Sequence, residues 1–238
     1  MTGGTQHVSQ TETQIQKLRA LLAELIPNNR FQAERLVAAG ITQEISSLAE
    51  FSARMPFTTK ADLVEDQTAH GPYGTNFTYP PERYTRFCQT SGTTSRPLVI
   101  LDTAESWDWM LDNWVEIYRA GGVGAGDRVY FAFSFGPFLG FWTAFEAAAK
   151  LGVLCIPGGG LSTAARLRAI LQHEATAICC TPTYALHLAQ TAVTEGIDLS
   201  KSSVRKIFVA GEPGGSVPGV RDRIKAAWIG AEVLDHYG

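Results

Sequence analysis

The eight residues from Thr90 to Pro97 have the composition of a loop that binds an anion. They read Thr-Ser-Gly-Thr-Thr-Ser-Arg-Pro, so hydroxyl side chains and a glycine precede one cation. Hydroxyl and backbone N–H donors can surround phosphate oxygens while Arg96 adds positive charge. The run is not a Walker A loop, because that motif opens a helix and Pro97 instead leads into an apolar strand. An ordinary Ser/Thr/Gly turn within a hairpin is the open alternative.

Further glycine- and proline-rich segments follow the predicted strands of the second half of the chain. They occupy positions 134–137, 157–160, 181–182, 211–215 and 237–238. Parallel α/β sheets bind ligands in the loops after the carboxyl ends of their strands. Any one of these segments could be a simple tight turn, but five at the same edge predict a binding surface.

The elements that carry these loops alternate between short, nearly all-apolar strands and helices of ten or more residues. We predict strands at 84–89, 98–101, 128–133, 153–156, 177–180, 206–210 and 232–234, and helices at 103–120, 138–151, 163–172, 184–194 and 220–228. This alternation is typical of a mostly parallel sheet with helices on both faces. The predicted fold class is therefore α/β, preceded by a helical N-terminal segment.

The N-terminal part has a different pattern. Residues 1–14 are polar and predict a flexible tail, whereas residues 15–55 show helical spacing of apolar positions. Pro27 is expected to close the first helix, and a second should run from a cap at Asn28 or Asn29 to Gly40. A loop-like stretch, 66–83, separates this part from the rest, so we expect one segment at 1–83 and the α/β portion at 84–238.

Composition excludes several classes of protein. With 20 basic and 23 acidic residues the net charge is −3, which gives no general attraction to nucleic acid or to an anionic membrane. No signal peptide or membrane-spanning run is apparent. The four cysteines have no C-x-x-C spacing, and Cys179 and Cys180 should point to opposite faces of a strand. We therefore expect a cytoplasmic protein with buried thiols and no metal bound by cysteine.

Five segments together resemble the adenylate-forming, or AMP-binding, enzymes, and in particular their phenylacetate–CoA ligase-like members. The Thr90–Pro97 run resembles their phosphate-binding loop, and Pro56–Leu63 the segment that precedes it. Phe133–Phe138 is similar to their aromatic loop, Ala210–Pro213 to their adenine-side loop, and Asp235–Gly238 to the start of their D-x-Y-G motif. The segments occur in the family's order from about residue 50 onward.

The resemblance implies a two-step ligation. A small carboxylic acid (aryl, arylacetic or acyl) would react with Mg²⁺-bound ATP to give an acyl-adenylate, which the thiol of coenzyme A or of a carrier protein then converts to a thioester. It implies nucleotide contacts by Thr90, Ser91, Gly92, Thr93, Thr94, Arg96, Gly211, Glu212, Pro213, Tyr237 and Gly238, and substrate contacts by Phe135, Gly136, Phe138 and His236. No metal ligand is predicted within the chain.

Two departures from the family pattern shape these expectations. Ser95 and Arg96 replace the usual Gly-Lys pair, although arginine keeps the charge and can hold phosphate with two N–H groups. The sequence stops at Gly238, before the family's Mg²⁺-associated Glu, its ribose-binding Asp and its lid with the catalytic Lys. We therefore expect an N-terminal portion that is inactive by itself. The alternatives are a noncatalytic nucleotide-binding module and an interaction scaffold.

Overall fold

The computed structural model of the protein describes residues 9–91 and 96–236. The chain divides into two compact units, Met1–Ala104 and Glu105–Gly238. The division expected from the sequence, a helical N-terminal segment at 1–83 and an α/β portion at 84–238, stays a prediction. No helix of the described ranges is both long enough and apolar enough to cross a membrane.

Helices form most of the first unit. They are α1 (Gln10–Asn28), α2 (Arg30–Ala38), α3 (Leu48–Arg54) and α4 (Lys60–Ala69), followed by a 3₁₀ turn at Pro81–Arg83. Their small core contains Leu22, Leu36, Ile41 and Ile45, all at most 2% exposed. Asn29 caps α2 by accepting a hydrogen bond from the backbone N–H of Gln32, as predicted.

The start of α1 corrects the sequence prediction of a tail up to residue 14. The helix begins at Gln10 because Ser9 and Glu12 form a capping box, in which each side chain accepts a hydrogen bond from the other residue's backbone N–H. Pro27 is also not the residue that closes this helix, because it lies within the last turn and Asn28 is the final helical residue.

A separate β-hairpin completes the first unit. Strands β1 (Tyr84–Gln89) and β2 (Val99–Thr103) pair antiparallel and form their own two-stranded sheet. The side chain of Gln67 in α4 extends this pairing: its amide nitrogen donates to the Val99 carbonyl at 2.7 Å, and its amide oxygen accepts from the Val99 N–H at 3.1 Å. Helix α4 therefore holds the hairpin through a side chain that imitates a neighbouring strand.

The second unit is an open parallel sheet, which confirms the predicted α/β class. Its strands are β3 (Arg128–Phe131), β4 (Leu154–Pro157), β5 (Ala177–Cys180), β6 (Lys206–Val209) and β7 (Glu232–Asp235). They are ordered β4-β3-β5-β6-β7, and every pair is parallel. The helices are α5 (Ala104–Ala120), α6 (Leu139–Lys150), α7 (Thr163–Gln172), α8 (Pro182–Thr194) and α9 (Pro218–Ala227), with a 3₁₀ turn at Leu199–Lys201.

Alternate residues of the strands face opposite layers of helices. Ile178 and Cys180 belong to the core cluster that also contains Leu167 of α7, Leu188 of α8 and Ile224 of α9. Cys179 faces the other way, where its Sγ lies 3.3 Å from the hydroxyl of Tyr118 in α5. The sheet is thus covered on both faces, and the two adjacent thiols point apart as predicted.

The carboxyl ends of all five strands lie at one edge of the sheet because every pairing is parallel. At the ends of several strands one further backbone hydrogen bond joins the chain to a neighbouring strand. These bonds fix the points at which the loops begin. Ala132 N–H donates to the Cys179 carbonyl at 3.0 Å, Gly158 N–H to the Phe131 carbonyl at 2.9 Å, and His236 N–H to the Val209 carbonyl at 3.1 Å. The loops expected to bind ligand therefore leave the sheet from fixed positions.

Candidate functional site

An apolar cavity of about 390 Å³ lies at the carboxyl edge of the five-stranded sheet. Its volume falls in the range of small-molecule sites, about 300–1,000 Å³. The lining joins side chains of α5 and α6 to residues at or beyond the ends of β3, β5, β6 and β7. These residues are Trp114, Phe133, Leu139, Gly140, Phe141, Ala144, Cys179, Cys180, Thr181, Phe208, Ala210, Gly211 and His236.

Aromatic rings form much of the cavity wall. Phe133 and Phe141 are stacked, with ring centroids 4.2 Å apart and an interplanar angle of 15°. Trp114 meets the ring of His236 edge to face at 4.1 Å. Stacked and edge-to-face pairs of this kind hold rings in defined positions. The cavity wall is therefore apolar and contains rings held in defined positions.

The two cysteines that line the cavity carry neutral thiols. Burial raises the pKa of the Cys179 thiol to about 12, although the hydrogen bond with Tyr118 lowers it in part. Burial also raises the pKa of the Cys180 thiol far above its usual range. Because the thiolate is the nucleophilic form, these cysteines act as apolar lining rather than as reactive groups at neutral pH.

The aromatic loop expected to contact substrate lies partly behind this wall. Phe135, Gly136 and Phe138 do not line the cavity. The ring of Phe135 packs on that of Phe133 at 5.2 Å, and the ring of Phe138 on that of Phe141 at 5.8 Å. The Gly136 carbonyl accepts a hydrogen bond from the indole of Trp142 at 2.8 Å. Phe135 and Phe138 therefore support rings that face the cavity, whereas Gly136 holds Trp142, which does not line it.

The adenine-side loop begins with Gly211 at the cavity. Its φ of +88° is favourable only for glycine, and the missing side chain leaves the backbone accessible. Pro213 is exposed. Two further glycines let the loop pack closely, since a Cβ on Gly214 would lie 2.6 Å from Cβ of Pro182 and one on Gly215 would lie 2.6 Å from Cγ of Asp235. The glycine backbone of the loop therefore packs directly against the side chains of Pro182 and Asp235.

Glu212 holds this loop on the first turn of α8. Its Oε1 accepts hydrogen bonds from the Thr183 N–H at 2.7 Å and the Thr183 hydroxyl at 2.5 Å. A carboxylate also interacts favourably with the N-terminal end of a helix dipole. Partial burial opposes ionisation of Glu212, but hydrogen bonds from Thr183 and Thr181 outweigh it and lower the pKa below its ordinary value of 4.5.

We expect Glu212→Gln to lower the free energy of unfolding by about 1 kcal/mol at pH 7, because an ionised acceptor makes the stronger hydrogen bonds. A lowered folded-state pKa means that this contribution is complete above pH 4.5 and disappears as the pH falls through the folded value. Urea unfolding at pH 7, 5 and 3.5 should therefore show a difference between the two proteins that shrinks on acidification. A difference that grows at low pH would contradict the assignment. Glu34→Gln, at an exposed ion pair of α2, is the control and should change stability by less than about 0.5 kcal/mol.

The ends of the expected phosphate loop lie in the first unit. Thr90 closes the hairpin, because its N–H donates to the Leu98 carbonyl and its hydroxyl accepts from the Leu98 N–H, both at 3.0 Å. Ser91 and Arg96 are exposed, and the Arg96 guanidinium lies 3.5 Å from the Thr68 hydroxyl. Gly92, Thr93 and Thr94, like Tyr237 and Gly238, lie outside the described residues.

Of the residues predicted from the sequence, the structure places Gly211 and His236 together at the cavity. No sequence pattern indicates that the rings of Trp114, Phe141 and Phe208 belong to its wall, and Phe133 was expected only as part of the aromatic loop 133–138. Trp114 lies within the helix predicted at 103–120, but periodicity alone cannot show that a helix face borders a cavity. Among the described residues no group of three or more His, Cys, Asp and Glu side chains could hold a metal ion.

An open parallel sheet with helices on both faces and an apolar cavity at its carboxyl edge defines an α/β ligand-binding domain. The sequence identifies which one. Residues 16–238 match the AMP-binding enzyme family, and the chain belongs to that family.

Relatives of known activity agree with the resemblance drawn from the motifs. Phenylacetate-coenzyme A ligase of Pseudomonas putida is 30% identical over 229 residues, covering 94% of this chain and 49% of that protein. The Escherichia coli (strain K12) phenylacetate-coenzyme A ligase is 31% identical over 234 residues, with 94% and 50% coverage. The chain spans about half the length of these curated relatives.

A solved structure shows the same fold. The open conformation of 2-hydroxyisobutyryl-CoA ligase, in complex with 2-HIB-AMP and CoA, superposes with a TM-score of 0.89 at 30% identity. The match covers 95% of this chain and 49% of that one. The family assignment and the α/β fold are thus supported by both sequence and structure.

Proposed function

We propose that the chain carries the acid-binding part of an ATP-dependent carboxylate–CoA ligase. The observation that carries the proposal is the apolar cavity at the carboxyl edge of the sheet, closed by Trp114, Phe133, Phe141 and Phe208. A hydrophobic acyl or aryl group gains about 25 cal/mol for each Å² of apolar surface that it removes from water there. The stacked phenyl rings favour an aromatic or compact branched acid over a long chain.

The nucleotide would approach from the loop that follows β6. Gly211 exposes its backbone beside the cavity, so a planar base or an adenylate can come close without meeting a side chain. The solved relative in complex with 2-HIB-AMP and CoA supports an acyl-adenylate and coenzyme A as the ligands of this chain's family site. The remaining contacts expected of Thr90 to Arg96 and of Tyr237 stay predictions.

Mg²⁺ and the thiol acceptor are proposed from the family alone. The described residues contain no group of three metal-ligating side chains, so we assign no magnesium ligand to them. Bound Mg²⁺ would supply charge that balances the triphosphate during attack by the acid. A thiol of coenzyme A or of a carrier protein as acceptor is an expectation from the sequence. The cytoplasmic location is another.

Acid binding by wild type and two matched phenylalanine variants tests the proposal. Phe133→Ala should weaken phenylacetate binding by about 10- to 100-fold, because the ring forms part of the cavity wall and its burial is worth about 1.5–3 kcal/mol. Phe138→Ala removes an equally half-buried ring that does not line the cavity, and it should change affinity by less than about threefold. Isothermal titration calorimetry with phenylacetate and 2-hydroxyisobutyrate gives both affinities and ranks the two acid classes.

The two variants distinguish an acid site in the cavity from an acid site at the aromatic loop expected from the sequence. A larger loss from Phe138→Ala than from Phe133→Ala would place the acid at the ring that the sequence favoured and contradict the cavity assignment. No detectable binding of either acid by the unsubstituted chain would contradict the acid-binding role and leave a noncatalytic nucleotide module or a scaffold.

A further inference from the structure

A buried arginine in α7 contacts two of the loops at the carboxyl edge of the sheet. Arg166 is 7% exposed, and its guanidinium makes three described hydrogen bonds. Nε donates to the Gly158 carbonyl at 2.8 Å, Nη1 to the Ala132 carbonyl at 3.0 Å, and Nη2 to the Ser134 hydroxyl at 3.3 Å. Gly158 follows β4, whereas Ala132 and Ser134 follow β3, so one side chain joins both loops.

The charge of Arg166 is balanced without a carboxylate among the described residues. Its acceptors are two backbone carbonyls and a hydroxyl, and its guanidinium carbon lies 5.2 Å above the ring of Tyr184. Burying an arginine is costly unless its donors are satisfied, and the planar fork of donors suits several acceptors held in fixed directions. The arrangement therefore satisfies the hydrogen-bond donors of the arginine and also fixes the positions of the three acceptors relative to one another.

The acceptors of Arg166 adjoin the cavity wall. Phe133 lies between Ala132 and Ser134, and its ring is stacked on Phe141 and lines the cavity. The Ala132 N–H donates to the Cys179 carbonyl of the sheet, and the Ala132 carbonyl accepts a hydrogen bond from Arg166. The Ala132 backbone before Phe133 and the Ser134 side chain after it are thus both held, although Arg166 itself does not line the cavity.

The second loop is held closely against the sheet at the same point. The Gly158 N–H donates to the Phe131 carbonyl at 2.9 Å while its own carbonyl accepts from Arg166. A Cβ on Gly158 would lie 2.7 Å from that Phe131 carbonyl oxygen and 2.8 Å from the Tyr130 hydroxyl. The loop therefore has little room to move as long as the arginine is in place.

We propose that Arg166 is the positioning residue of the acid site: it joins the loops after β3 and β4 and so sets the place of Phe133 in the cavity wall. The expected effect on acid affinity rests on the proposed acid-binding function, whereas the loop contacts of Arg166 do not depend on that function. The sequence does not indicate this role for Arg166, because a second arginine lies two positions further in the same helix. That residue, Arg168, is exposed and pairs with Glu195.

Local hydrogen exchange and acid affinity test the proposal together. Arg166→Met keeps an unbranched apolar stem and removes the guanidinium with its donors, so amides in 132–138 and 158–162 should exchange at least about tenfold faster, with 177–180 and 206–209 unchanged. Phenylacetate affinity should fall about tenfold or more. The matched control is Arg168→Met, which removes one charge from the same helix and should alter neither measurement.

Two milder variants keep the test decisive if Arg166→Met does not fold. Arg166→Lys keeps the charge but reaches fewer acceptors, so its exchange and affinity should lie between those of wild type and the methionine variant. Ser134→Ala removes a single acceptor and should raise exchange in 132–138 only. A rescue experiment adds to these two variants: methylguanidinium should restore slow exchange in Arg166→Ala, because it can occupy the vacated donor position.

The outcomes distinguish this inference from the function on which it rests. Faster exchange spread evenly over the whole sheet would show that Arg166 is only a general stabilising residue and would overturn the proposal. Selective loosening of both loops with unchanged phenylacetate affinity would also overturn the positioning role. If the unsubstituted chain binds no acid, the proposed function fails, and the exchange pattern alone still decides whether Arg166 joins the loops.

Discussion

Ala144→Leu should abolish tight acid binding while leaving the fold almost as stable as before. Ala144 is 1% exposed on α6 and lines the cavity, so the added carbons occupy the space proposed for the acid. We expect phenylacetate affinity to fall by at least about thirtyfold, or about 2 kcal/mol. The free energy of unfolding should change by less than about 1 kcal/mol because the new methyl groups enter an existing space.

The control is another alanine of the same helix. Ala147 is fully buried on α6 but does not line the cavity. Ala147→Leu should therefore lower the free energy of unfolding by about 1–3 kcal/mol through overpacking and leave acid affinity intact. Urea unfolding and calorimetric titration of both variants give the comparison. Retained acid affinity in Ala144→Leu would show that the acid binds elsewhere.

Arg96→Ala should weaken ATP binding by about 10- to 100-fold without changing the stability of the chain. A hydrogen bond between an ionised donor and a phosphate oxygen is worth about 1.5–3 kcal/mol. Arg96 is exposed and forms no ion pair with a described carboxylate, so its removal should cost the fold little. Fluorescence titration with a labelled ATP analogue measures the change.

Matched variants separate a specific contact from a loss of charge. Arg30→Ala removes an exposed cation of α2 and should leave ATP affinity within about twofold of wild type. Arg96→Lys should give an intermediate affinity, since lysine keeps the charge and loses the paired donors. Equal ATP affinities for wild type and Arg96→Ala would mean that residues 90–97 are a turn and nothing more.

Much of the second unit could be predicted from local pattern. The helix Thr163–Gln172 and the strand Ala177–Cys180 have the predicted bounds, because strong apolar periodicity and the Ser162 cap mark them clearly. Helix α8 begins two residues earlier than predicted, since Thr181 caps it and Pro182 occupies its first turn. Proline is well suited to that position, where it loses no hydrogen bond.

Other features needed contacts that a sequence does not contain. Ser9 and Glu12 have the spacing of a capping box in the sequence, but the polar composition around them favoured a flexible tail. Beyond Phe131 the strand ends, so alternation no longer shows which aromatic side chains face inward; Phe133 lines the cavity and Phe135 does not. Arg166 and Arg168 are alike in sequence, and only the fold distinguishes the buried one from the exposed one.

The attachment of the hairpin to α4 has a consequence for the chemical ageing of the protein. Gln67 both donates to and accepts from Val99, and of the common side chains only an amide of this length can do both. Deamidation, equivalent to Gln67→Glu, would replace the donor by a second oxygen facing the Val99 carbonyl at the 2.7 Å that the amide nitrogen now occupies. Deamidation at Gln67 would therefore remove one of the two hydrogen bonds that attach the hairpin to α4, with no residue of the cavity altered.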